Sequence, residues 1–67
     1  MAAEYLAKLA LRRFLWIQDF AARLADLGAP ASVEALLQLG EERYLRGPKS
    51  DPSAAAESVW AEWPTEH

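Results

Sequence analysis

The chain contains no cysteine and one histidine, His67, at its last position. The missing cysteine excludes disulfides and thiolate metal sites. With the only imidazole at an end that should fray, a metal held by Glu62, Glu66 and His67 is not expected either. Catalysis needs a nucleophile, acid or base set beside a partner group. Ser32, Ser50, Ser53 and Ser58 fall at helix caps or on a short helix with no base nearby. Neighbouring Glu41 and Glu42 would point in different directions on a helix and read as a solvated face. The expectation is therefore a protein that is not an enzyme, with no catalytic residues, no metal and no cofactor.

Long apolar runs are also missing. The longest strictly non-polar run before the first turn, Phe14 to Ile17, is far too short to cross a bilayer. Glu4 and Lys8 stand where the apolar core of a secretory signal would run. A soluble, cytoplasmic protein with no membrane partner is expected. Alternation of period two is absent, so strands are not expected. Arginine outnumbers lysine and alanine is abundant, which points towards a GC-rich bacterial or phage source.

Glycine and proline are few, 3 and 4 in 67 residues, and their positions divide the chain into three helices. The first is read over residues 3–27, rich in Ala, Leu, Arg and Glu, which lose little entropy in a helix. Gly28-Ala29-Pro30 stops it, since glycine suits the position after a helix end and proline cannot continue the helix. Ser32 caps a second helix over 33–46, with Glu34 in its first turn, and Gly47-Pro48 ends it. Asp51-Pro52 then starts a third helix over 52–63, an N-cap aspartate followed by proline at the first helical position, and Pro64 closes it. The fold class is all-α: one small domain over 1–67, a helical bundle with the long first helix as its spine.

At about 100° per residue, the first helix has one broad apolar side made by Leu6, Leu9, Ala10, Phe14, Ile17, Phe20, Ala21, Leu24 and Leu27. Glu4, Lys8, Arg12, Asp19, Arg23 and Asp26 lie opposite, with Glu4–Lys8 and Asp19–Arg23 spaced for ordinary helix ion pairs. Tyr5 and Trp16 lie on the border. Leu11 and Leu15, one turn apart, break the polar side. They are either ordinary surface leucines or a second contact face for a partner. Arg13 breaks the apolar side and reads as a snorkelling side chain with its stem over the core, the alternative being an ion pair with a partner.

The second helix carries the stripe Val33, Leu36, Leu37, Gly40 and Tyr44. Glycine inside a helix costs about 1 kcal/mol relative to alanine. Its place in the stripe predicts a close helix crossing, against Ala21 or Phe20. Arg43 and Arg46 complement the C-terminus of this helix; with Lys49 they could instead hold an anion. The third helix presents Ala55, Ala56, Val59, Trp60 and Trp63. The expected core is Ile17, Phe20, Leu24, Leu36, Leu37 and Trp60.

Net charge is −3, and it is uneven. Residues 30–67 hold Arg43, Arg46 and Lys49 against Glu34, Glu41, Glu42, Asp51, Glu57, Glu62 and Glu66. No Arg, Lys, Asn or Gln lies in 52–66, so the third helix has nothing with which to read bases, and the first turns of the second helix offer Glu34, Gln38 and Glu41. Duplex nucleic acid is not an expected partner.

A domain near this size buries only about 60% of its unfolded surface. Without disulfides or metal, packing and oligomerisation must supply the stability. The second and third helices are too short to cover the first. If they fold back, the N-terminal half with Tyr5, Leu6, Leu9 and Phe14 lies bare; if they run end to end, Leu11 and Leu15 still face water. The functional expectation is a protein–protein interaction module, a homodimer or a contact with another protein, made through Tyr5, Leu6, Leu9, Leu11 and Leu15. The alternative is an acidic phage-type inhibitor of a nucleic-acid-binding protein, which would need Glu41, Glu42, Glu57, Glu62 and Glu66 on one surface.

Overall fold

The computed structural model describes residues 2–47 and 51–64. The helices are α1 (Ala2–Leu27), α2 (Val33–Leu45) and α3 (Pro52–Ala61), and no strand occurs among the described residues. Each boundary has a local cause. At the end of α1, Gly28 takes φ 100°, a value unfavourable for any residue with a Cβ. Its N–H donates to the Ala25 carbonyl and that of Ala29 to Leu24, which is the paired Schellman closure of a helix end. Gly47, at φ 116°, closes α2 with an N–H donated to the Tyr44 carbonyl. The Ser32 hydroxyl accepts from Ala35 N at 3.2 Å. The Asp51 carboxylate accepts from Ser53 N at 3.1 Å and Ala54 N at 3.3 Å.

The third helix is shorter than expected. It ends at Ala61 with Glu62 as its C-cap, because the residue before a proline is pushed out of helical geometry and Pro64 follows Trp63. Trp63 nevertheless packs on the core from outside the helix. α2 likewise stops at Leu45, with Arg46 as its cap.

Both short helices pack on α1, and no Cα of α2 comes within 8 Å of one of α3. They flank the spine on two sides of its C-terminal half. α2 runs antiparallel to α1: its start borders a groove with Ala22 and Ala25, and its end brings Glu41 to Arg13. α3 runs the other way, from Pro52 near Arg12 and Asp19 to Glu57 at Arg23.

Phe20, Ala21, Leu24, Leu36 and Ala56 form the buried centre. Of the expected core, Ile17, Leu37 and Trp60 are only half-buried. Two alanines, Ala21 and Ala56, take inner places. Small residues there let the short helices approach the spine closely. Aromatic rings close the end of the core nearest the bare half of α1: Trp16 stacks on Phe20 with centroids 5.4 Å apart and meets Tyr44 edge-on at 5.6 Å. Gly40 is buried at the α1–α2 crossing, as expected. A Cβ there would meet Phe20, one of the two expected neighbours, and also Ile17. Val33, placed on the stripe by its spacing, is 68% exposed, because the α1 residues beneath it are alanines too short to reach it.

Candidate functional site

α1 has 26 residues, roughly 39 Å of helix at about 1.5 Å per residue. α2 and α3 reach along it only as far as Arg12 and Arg13. Beyond them, every described side chain from Ala3 to Arg12 is exposed. The large apolar side chains Tyr5, Leu6, Leu9, Leu11, Phe14 and Leu15 are between 40% and 64% exposed.

The five residues expected to form one interface do not share a face. Leu9 and Leu11 differ by two steps of about 100° and point to nearly opposite sides of the helix. Tyr5, Leu6 and Leu9 continue the side that carries Phe20 and Leu24 further along. Leu11 and Leu15 lie on the back of the spine. There they join Phe14 and lead into Gln18, Ala22 and Ala25 at spacings of three and four, the repeat of a helix-packing seam. The structure therefore presents an overhang that prolongs the core face and a back seam that neither short helix covers.

Beside the back seam, α1 and α2 leave an open groove of about 270 Å³ lined by Gln18, Ala21, Ala22, Ala25, Val33, Leu36 and Leu37. It arises because the C-terminal half of α1 carries alanine on this flank while α2 supplies branched side chains. The expectation of bare residues stopped at Leu15. The signal that extends it was present in the sequence as alanines at helical spacing, but these become a groove only once α2 stands beside them.

Charges close around the core without entering it; no charged or polar residue is buried among the described residues. Arg13 neither snorkels alone nor waits for a partner: its Nη2 lies 2.6 Å from Glu41 Oε1, tying α1 to α2. Arg23 ties α1 to α3, with Nη2 at 3.0 Å from Glu57 Oε2 and Nη1 at 3.7 Å from Asp26 Oδ2. Arg46 stands 3.9 Å from Glu42. All these side chains are partly exposed, so each pair contributes at most about 1 kcal/mol.

For an acidic surface the consequence is direct. Glu41 and Glu57 each face an arginine and stand on helices that flank α1 separately, and Glu66 lies outside the described residues. So do Lys49, one member of the possible anion site, and His67. No group of three or more Asp, Glu, His or Cys side chains suited to a metal occurs among the described residues. No helix there is long and apolar enough to cross a membrane.

No known protein family matches the chain, and neither a curated protein nor a solved structure matches it.

Proposed function

We propose that the chain is a non-catalytic protein–protein interaction module that acts as a homodimer, with the contact made through α1. The observation that carries this reading is the run of exposed large apolar side chains from Tyr5 to Leu15 on a helix whose other half carries the buried core. Exposed apolar faces, here the overhang and the back seam, mark interaction sites in soluble proteins. A second argument is stability: among the described residues five are buried, with partly buried side chains packed around them, and a domain this small gains from burying further surface against a partner. A two-fold dimer closes such a surface on itself and leaves no open end.

The inhibitor reading has less in its favour, because Glu41 and Glu57 are paired with arginines of α1 and do not form one acidic face. The test is the mass in solution by sedimentation equilibrium. A dimer that Leu11→Glu dissociates supports the proposal, and a well-folded monomer overturns it.

A further inference from the structure

We infer that the dimer is antiparallel, with two α1 helices packed back to back about a two-fold axis that passes beside Gln18, and with Phe14 of each copy seated in the α1–α2 groove of the other. The inference rests on the dimer reading above and specifies its face and direction.

The back seam is asymmetric in side-chain size. Towards the N-terminus it carries Leu11, Phe14 and Leu15, all about half exposed. Towards the C-terminus it carries Ala22 and Ala25, which with the buried Ala21 line the groove of about 270 Å³ beside Val33 and Leu37. A parallel pair would set large against large at one end and leave alanine facing alanine across a gap at the other. Reversing one helix about Gln18 matches the ends. Leu11 then lies level with the partner's Ala25 and Phe14 with the partner's Ala22. Large side chains facing small ones interdigitate at native density. Phe14 lies on the flank of α1 that α2 also occupies. A two-fold axis brings like flanks together, so its ring meets the partner's groove and covers the partner's Val33, itself 68% exposed.

Charge follows the same register. On the other flank, Lys8 comes within about 3 Å, along the helix axis, of the level of the partner's Asp26 at about 1.5 Å per residue. Asp26 is 79% exposed and only 3.7 Å from Arg23 at its nearest, so it has room for a second cation. Asp19 stays at the wet rim, where screening weakens its approach to its own copy. At the centre, the two Gln18 side chains meet. Each amide carries both donors and an acceptor, so the pair satisfies itself across the axis. A single polar residue in an otherwise apolar seam fixes register and orientation. Tyr5, Leu6 and Leu9 take no part in this contact.

The cysteine-free chain allows a direct test by single-cysteine variants, each checked for native helicity and for dimer mass before oxidation. A disulfide needs Cα atoms within about 7 Å. Gln18→Cys should form a reducible band of twice the monomer mass. Leu11→Cys alone and Ala25→Cys alone should not, because each would lie about 21 Å along the axis from its own copy. A mixture of Leu11→Cys and Ala25→Cys should cross-link. If the protein is dimeric but Leu11→Cys cross-links with itself, the helices are parallel and the inference is wrong. It is equally wrong if Leu6→Cys cross-links and Gln18→Cys does not, since the contact is then on the core side. A monomeric mass would instead remove the dimer reading itself.

Discussion

A Cβ built on Gly40 would stand 3.1 Å from Cδ1 of Phe20. Phe20 is fully buried and stacked on Trp16, so its ring has no free direction in which to yield. Ile17 Cγ2 lies equally close, at 3.1 Å, and the Ile17 carbonyl oxygen at 3.4 Å. The glycine is thus a contact point between two helices. Its cost in helix propensity is offset by the approach it permits. Gly40→Leu should destabilise by about 1–3 kcal/mol through overpacking, despite the better helix former. Urea unfolding followed by tryptophan fluorescence measures this. A Gly40→Leu protein more stable than the parent would show that the crossing yields easily.

Phe20 itself is the largest fully buried side chain and belongs to the core cluster with Leu36 of α2 and Ala56 of α3. Phe20→Ala should cost about 3–5 kcal/mol. For a small domain whose total stability is of the order of 5 kcal/mol, that removes most of the cooperative transition. Thermal melting by circular dichroism is the check. A variant melting within a few degrees of the parent would contradict this assignment of the core.

How far the fold could be read in advance differs from element to element. The helix starts at Ser32 and Asp51-Pro52 and the stop at Gly28 were legible because capping is local chemistry, decided within about one helical turn. Gly40 was legible because a helix-breaking residue within an apolar stripe needs a packing reason. The early end of α3 was legible in principle from Pro64, which disfavours helical geometry at Trp63. The Arg13–Glu41 pair was not legible. Its partners are 28 residues apart, and only the register of α2 on α1 brings them together. Nor was the exposure of Val33, which follows from the alanines beneath it. The bare N-terminal half of α1 was legible as a matter of length. Its division into two faces was already implicit in the positions of Leu9 and Leu11, but which face a partner would choose depends on where α2 stands.

The cap on α3 gives a third prediction. Asp51 satisfies the first free N–H groups of α3 through both Ser53 and Ala54. Asp51→Ala should cost about 1 kcal/mol, and Asp51→Ser should recover most of it. Paired thermal melts of the two variants read this out. Equal stability of the alanine variant and the parent would mean that α3 is held by Ala56 and Trp60 alone.

A fourth prediction is negative. Arg13, Arg23 and Arg46 already face carboxylates of the same chain, and α2 also exposes Glu34 and Glu42. Binding to duplex DNA, whose affinity comes largely from neutralised phosphates, should be undetectable at submicromolar protein near physiological salt. Fluorescence anisotropy with a labelled duplex decides it. Submicromolar binding would require a basic surface that this arrangement of charges does not provide.

The central claim is that α1 is an interface, and mass in solution tests it most directly. Sedimentation equilibrium at micromolar concentration should give twice the 7.5 kDa chain mass. Leu11→Glu, which places a charge in the back seam, should shift the mass towards the monomer while Leu9→Glu, on the opposite side, leaves it unchanged. A folded, monodisperse monomer at about 100 µM, a concentration at which even weak specific dimers assemble, would contradict the account.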